Sequence, residues 1–217
     1  MVENVRISLS NGEFLEGILH LPNKAKGCVL FAHGSGSSRH SPRNRSVAKV
    51  LEKGGLATLL FDLLTGQEEK IDRETAHMRF DIPLLTDRLV AATAWARKGQ
   101  VLKKFSLGYF GASTGAAAAL QAAAKHPEWI GALVSRGGRP DLAGDALRSV
   151  RVPTLLIVGG NDDGVIELNR KAYAELHCEK KLEIVPGATH LFEESGALEE
   201  VSRLARDWFL QFFKKST

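Results

Sequence analysis

Short, continuous apolar runs alternate with stretches of helical length along most of this chain, and that alternation restricts the fold more than any other feature. The runs are Cys28 to Ala32, Leu56 to Phe61, Leu107 to Phe110, Ile130 to Val134 and Thr154 to Val158. Each is apolar throughout rather than at every second residue, as expected of strands covered on both faces of a parallel sheet. Helical stretches are expected at Asn44 to Lys53, Ile82 to Lys98, Thr114 to Lys125, Ile166 to Leu176 and Leu198 to Phe213, and a last strand at Lys181 to Val185. Strands and helices in this order build right-handed βαβ units, and hence a doubly wound, mostly parallel α/β sheet.

Ahead of the first run, Val5 to Leu9 and Phe14 to Leu21 flank Asn11-Gly12. Both turn residues tolerate positive φ, so the chain is expected to open with an antiparallel hairpin closed by a two-residue turn. No repeat, low-complexity segment or linker divides the 217 residues, which predicts one domain over residues 1–217. The interval from Ser135 to Val152 has room for a short helix at Ala143 to Ser149 and no more. A cap domain does not fit there, so the site is expected to be open.

Hydrophobic residues at 44% and charged residues at 25% are ordinary globular values. The net charge of +4 comes from scattered lysines and arginines. The single cluster, Arg39, Arg43 and Arg45, is short and has no aromatic residues between its members, which argues against a nucleic-acid partner. Two cysteines indicate neither a disulfide framework nor a clustered zinc site. Met1 to Leu9 lacks the pattern of a signal peptide, and no apolar run is long enough to span a bilayer. A cytoplasmic protein without a membrane partner is expected.

The chemistry is carried first by Gly111-Ala112-Ser113-Thr114-Gly115, placed between the run Leu107 to Phe110 and the alanine-rich stretch after Gly115. This is a G-x-S-x-G pattern in strand–turn–helix context. A serine on so sharp a turn needs neighbours without bulk, and at a helix N-terminus it meets N–H groups that favour developing negative charge. A serine hydroxyl also needs a base, and the base needs a carboxylate to hold it in the right tautomer. Downstream, Val158-Gly159-Gly160-Asn161-Asp162-Asp163 and Ile184-Val185-Pro186-Gly187-Ala188-Thr189-His190 each end an apolar strand in a loop. They bring an acid and then a histidine to the carboxyl edge of the sheet, in the order Ser, Asp, His that this context requires. Asp162 and Asp163 compete for the acid's role, one of them being free to cap the following helix. Asp141 is a third candidate. An oxyanion hole needs two backbone N–H donors. Thr114 supplies one, and Ser35, in the glycine-rich turn His33-Gly34-Ser35-Gly36-Ser37, is the choice for the other, with the next residues in reserve. A phosphate-binding loop is the rival reading of that turn, but the lysine and Ser/Thr of a Walker A sequence are missing.

With these residues assembled, the chain resembles the dienelactone-hydrolase-like branch of the α/β-hydrolase superfamily. The carriers are His33-Gly34-Ser35-Gly36-Ser37, Gly111-Ala112-Ser113-Thr114-Gly115, Gly159-Gly160-Asn161-Asp162-Asp163-Gly164-Val165 and Gly187-Ala188-Thr189-His190-Leu191-Phe192. The resemblance implies an α/β-hydrolase fold without a cap. It also favours Asp162 as the acid, because the family's acid stands three residues before a valine or similar residue. The dienelactone hydrolases that name the branch use a cysteine nucleophile, whereas this elbow carries serine, and Cys28 lies inside a strand remote from it.

The expected activity is hydrolysis of a small ester through Ser113, His190 and Asp162, with no metal or organic cofactor required. Arg39, His40, Arg43, Arg136 and Arg139 fall in loops at the same edge and are candidates for recognising a carboxylate or phosphate, or else solvated surface. Phe192 either lines an acyl pocket or packs against the last helix. Trp208, Phe209, Phe212 and Phe213 read as core, with the helix end a candidate dimer contact, so monomer and homodimer both stay open. Two rivals use the same fold: a non-catalytic binding protein, and an acyltransferase or carbon–carbon bond hydrolase working through the same triad.

Overall fold

The computed structural model describes residues 1–213. Eight strands form one sheet in the order β1-β2-β4-β3-β5-β6-β7-β8. They are β1 Val2–Ser8, β2 Phe14–His20, β3 Cys28–Ala32, β4 Ala57–Phe61, β5 Leu107–Ala112, β6 Ala132–Arg136, β7 Thr154–Gly159 and β8 Lys180–Val185. The β1-β2 and β2-β4 pairs are antiparallel, and every pair from β4 to β8 is parallel. Helices α1 Pro42–Lys53, α2 Gly66–Thr75, α3 Ile82–Lys98, α4 Thr114–Lys125, α5 Asp163–Glu175 and α6 Ala197–Phe212 complete the α/β-hydrolase architecture, with no cap inserted among the described residues.

The central strands β3 to β7 are buried at every position, which is why they read as unbroken apolar runs. Alternate residues feed two cores. Leu30, Leu59, Tyr109, Leu133 and Leu156 pack with α3, α4 and α5, whereas Phe31, Leu60, Phe110, Val134 and Ile157 pack with α1 and α6. Trp208, Phe209 and Phe213 belong to the second core, as their pattern predicts. Helix α4 presents a wall of alanines, Ala116 to Ala119 with Ala122 and Ala123, all fully buried. Small side chains let the helix lie close on the sheet: a methyl group on Gly111 would stand 2.5 Å from Ala116 Cα.

Three expectations need correction, and one helix lies outside the expected set. The hairpin turn has three residues, not two, because Leu9 N–H bonds Glu13 O and Gly12, at φ +87°, closes a turn back to Leu9 O. Strand β6 starts two residues later than the apolar run and ends on Ser135 and Arg136, buried polar residues that hydropathy places outside a strand. The segment after β6 is a 3₁₀ stretch, Pro140–Ser149, broken at Gly144 (φ 57°, ψ −139°) rather than a regular short helix. Helix α2 was not expected at all. Its sequence is polar with one buried residue, Asp72, and a capping box of Thr65 and Glu68 starts it.

Candidate active site

Ser113 follows β5 directly and occupies the N-cap position of α4 with φ 49° and ψ −121°. A non-glycine residue held there costs on the order of 1–3 kcal/mol, so surrounding structure must impose it. It does so through the backbone: Ser113 N–H donates to Arg136 O at 3.3 Å, while its carbonyl accepts from Ala116 N–H and Arg139 N–H, both at 3.1 Å. The side chain makes no capping bond. Glycines make the crowding possible. A Cβ on Gly115 would lie 2.2 Å from Ala32 O, and one on Gly34 would lie 3.1 Å from Ser113 Cβ. The loop after β3 therefore rests against the serine.

That loop is itself fixed. Ser37 N–H bonds Gly34 O at 3.2 Å and Gly36 has φ +67°, giving a tight turn with glycine where positive φ is needed. His33 Nδ1–H donates to Gly34 O at 2.9 Å, and its Nε2 accepts from Leu63 N–H at 3.1 Å. Burial lowers the His33 pKa, which keeps this doubly bonded ring neutral. His33 thus staples the turn after β3 to the segment after β4. Sequence reading gave it no role, although its place directly before Gly34 was the available signal.

His190 and Asp162 come together across the β7 and β8 ends. The carboxylate Oδ2 accepts from His190 Nδ1–H at 2.7 Å, which leaves Nε2 free to accept a proton. Their loops are stitched by Asn161 N–H to Ala188 O at 2.9 Å, Asn161 Nδ2 to Gly187 O at 3.0 Å and Gly160 N–H to Val185 O at 2.8 Å. Phe192 N–H to Thr189 O closes the turn that carries the histidine. Gly137 connects this side to the elbow. A Cβ there would stand 3.6 Å from His190 Cε1, and the preceding residue, Arg136, is the one that accepts the Ser113 N–H. Asp163 is the exposed first residue of α5, and Asp141 is occupied by a two-pronged pair with Arg139 at 2.8 and 2.9 Å. Asn169 on α5, which sequence gave no reason to single out, donates to Gly138 O at 3.0 Å and fixes the loop that reaches both Ser113 and His190.

The remaining candidates are dispersed. Arg39 is bound by Asp62 and Glu16, so it braces the loop after β3, and Arg43 pairs with Glu193 at 2.9 Å. His40 is exposed. Arg39 and His40 line an open cavity of about 1060 Å³ between that loop, the β1-β2 turn and α2. Neither Ser113 nor His190 lines this cavity, which meets the candidate site at Ser35. Phe192 is only 1% exposed, at φ +56°, and packs in the α1 and α6 core, so of its two expected placements it takes the packing against the last helix and not the substrate pocket. Arg136 is 7% exposed, with Nη2 on Asn44 Oδ1 at 3.3 Å and its guanidinium carbon 6.0 Å from the Phe192 ring centre. Burial pushes the Cys28 thiol up to about 12, and Cys28 faces Leu107 at the opposite end of β5, so it is inert.

Known proteins place this architecture. Over 194 residues the chain is 58% identical to two Mycobacterium tuberculosis proteins, from strains CDC 1551 and H37Rv, that are provisionally named phosphoribosyl transferases. The match takes 89% of this chain but 43% of theirs, so the chain spans less than half of those relatives. The crystal structure of a dienelactone hydrolase from Anabaena variabilis superposes with a TM-score of 0.97 at 56% identity, covering 99% of both chains. Est1E from Butyrivibrio proteoclasticus, solved with ferulic acid, shares the fold at a TM-score of 0.80 and 18% identity, over 96% of this chain and 98% of its own. The dienelactone hydrolase family model matches residues 15–216, nearly the whole chain, and the chain therefore belongs to that family of α/β hydrolases.

Proposed function

We propose that this chain is a single-domain serine hydrolase, residues 1–217, that cleaves a small carboxylic ester. The observation that carries the reading is Ser113. Its backbone is fully engaged in a strained conformation and its hydroxyl is left uncommitted, at the sheet edge where Asp162 orients His190. Strain of this kind is retained where it aims a reacting group. In the proposed reaction His190 Nε2 takes the Ser113 proton as Oγ attacks the ester carbonyl. Asp162 holds the Nδ1–H tautomer and stabilises the imidazolium, which then protonates the leaving alkoxide. Water, deprotonated by the same histidine, releases the acid.

The oxyanion is received by Thr114 N–H, at the head of α4, and Ser35 N–H. In a trans peptide the Ser35 N–H points opposite to Gly34 O, and Gly34 O is turned inward to Ser37 and His33. None of these steps calls for a metal or organic cofactor. The name of the Anabaena relative supports ester or lactone cleavage, with serine in place of the cysteine of the branch. The transferase name stays with the two longer proteins, since less than half of their length is shared.

The test is a series of 4-nitrophenyl esters together with fluorophosphonate labelling. Ser113→Ala is expected to abolish labelling and to lower turnover by a factor on the order of 10⁴ or more. A folded wild-type protein that neither labels nor turns over would replace this reading with that of a binding protein on a hydrolase fold.

A further inference from the structure

We propose that Asn169 of α5 is a positioning residue for the reaction: its amide holds the loop after β6 so that Ser113 and the Asp162–His190 pair keep their places relative to one another. Its service to catalysis rests on the reading of Ser113 given above, whereas the hold itself rests on the geometry alone.

Asp162 stands at the N-cap of α5, and Asn169 lies about two turns further along the same helix, fully buried. Its Nδ2 donates at 3.0 Å to Gly138 O and at 2.8 Å to Val165 O, so one amide joins the helix that starts at the acid to the loop after β6. Among the described residues, no other hydrogen bond connects α5 to residues 136–139. The neighbours of Gly138 all reach the candidate site. Arg136 O accepts from Ser113 N–H at 3.3 Å, and Arg139 N–H donates to Ser113 O at 3.1 Å. Gly137 N–H donates at 2.8 Å to Ile157 O on β7, the strand that leads to Asp162, and a Cβ on Gly137 would stand 3.1 Å from His190 O. The contacts close a ring. It runs from Asp162 along α5 to Asn169, across to Gly138, through Arg139 to Ser113 and through Gly137 to His190, which bonds Asp162 at 2.7 Å.

An amide at this place opposes folding in one respect: Asn169 Oδ1 is buried without a partner, and a buried acceptor left unpaired is destabilising. Leucine would fill a similar volume without that oxygen, and aspartate would keep the shape. Neither has an N–H to give Gly138 O, and that donor is what asparagine supplies. Gly138 is itself buried and has no room to turn its carbonyl elsewhere, since a Cβ there would lie 2.0 Å from Ser135 Oγ and 2.7 Å from Ala116 Cβ. Loss of the bond leaves a buried carbonyl unpaired, and the loop relieves it by shifting, with Arg139 and Ser113, relative to α5. A displacement on the order of 1 Å between nucleophile and base is enough to slow the reaction about 100-fold. The open cavity beside Ser35 has no lining residue in α5 or in residues 136–139, so substrate capture there is untouched by the shift.

The test uses the full chain. Asn169→Leu and Asn169→Ser both deprive Gly138 O of its donor, the serine because its shorter side chain bonds back to Val165 O within its own helix. Each is expected to lower the thermal unfolding midpoint by about 2–10 °C. Well below that transition, kcat for 4-nitrophenyl butyrate is expected to fall about 10- to 100-fold, with KM within about threefold of wild type and fluorophosphonate labelling of Ser113 slowed in proportion. Thr93→Val, which breaks the buried 2.6 Å bond between Thr93 and Tyr109, is the control: a similar loss of midpoint with kcat changed by less than about threefold. Hydrogen exchange without substrate reads the hold apart from the chemistry. The Ser113 and Arg139 N–H groups are expected to exchange faster in both Asn169 variants, while those of β3 and β7 keep their protection. A loss of kcat no greater than that of Thr93→Val overturns the positioning role, and so does unchanged exchange at Ser113 and Arg139. Wild-type turnover and labelling that both Asn169 variants match would leave the hydrolase reading standing and remove the positioning. Faster exchange at Ser113 and Arg139 in the variants of a wild type that neither labels nor turns over would uphold the hold and remove the hydrolase reading.

Discussion

Helices α4 and α5 start at the same edge of the sheet, and each has a candidate catalytic residue, Ser113 or Asp162, at its N-cap position. Neither side chain caps its helix, although serine and aspartate are favoured caps. The two starts are otherwise built differently. At α4 the helix is pressed onto the sheet so tightly that a methyl group on Gly115 would lie 2.2 Å from Ala32 O, and Ser113 is forced to φ 49°. At α5 a methyl group on Gly164 would meet nothing within 4 Å, and Asp162 sits at φ −112°. The serine is thus aimed by backbone packing and the acid by a single hydrogen bond to His190. The first arrangement is rigid because atoms are excluded, and the second holds only while one pair of polar atoms meets.

The largest expected effect follows from that single bond. Asp162→Asn presents an amide where the ring needs an acceptor for Nδ1–H, favours the wrong tautomer and is expected to lower kcat by a factor on the order of 10³–10⁴. Asp163→Asn, one residue on and exposed, is expected to change kcat by less than about threefold, at the level of a minor local rearrangement. Equal losses in the two variants, measured as ester turnover, would break the distinction between the adjacent acids. The packing contrast is tested by one substitution made twice. Gly115→Ala must move backbone and is expected to cost about 3 kcal/mol in urea unfolding, at the upper end for overpacking. Gly164→Ala, in open space on a helix, is expected to stabilise by about 0.5–1 kcal/mol. Like-signed results would show that the approach of α4 to the sheet is not what holds the elbow.

How much of this was readable follows the same division. The central strands were legible because burial on both faces leaves little but apolar residues, and Ser113 and His190 because their loops follow strands in a fixed order. Asp162 and Asp163 are chemically identical neighbours, so residue type does not separate them; the resemblance favours Asp162 by its spacing to Val165, and the structure adds the bond to His190. Helix α2 escaped notice because a polar helix held by a cap and by the buried Asp72–Arg79 pair has no apolar periodicity to reveal it. The arginines were seen as a group at one edge. Their sorting into braced and unbraced members depends on Glu16, Asp62, Asp141 and Glu193, most of them distant in sequence. For Phe192, next but one to the histidine, sequence left pocket and core equally open, and the structure, with its φ at +56°, places the ring in the core.

A third helix start sharpens the contrast at the scale of a single cap. Thr65, ahead of α2, does what Ser113 and Asp162 do not: its hydroxyl accepts from Glu68 N–H at 3.3 Å while the Glu68 carboxylate accepts from Thr65 N–H at 2.8 Å. Thr65→Ala therefore removes a bonded acceptor at the end of a helix with only one buried residue to hold it, and a loss of about 1 kcal/mol is expected. Ser113→Gly removes a hydroxyl that bonds no helix N–H and relieves a left-handed φ that glycine adopts freely, so a gain of about 1 kcal/mol is expected despite the loss of activity. Ser113→Ala separates the two contributions, because it deletes the same hydroxyl while keeping the Cβ that makes φ 49° unfavourable, and its stability should stay close to wild type. The three variants, compared in denaturant unfolding, should rank glycine above alanine at position 113, with Thr65→Ala below both. If glycine and alanine at 113 were equally stable, the elbow would hold no strain, and the serine would owe its orientation to the hydrogen bonds of its backbone alone.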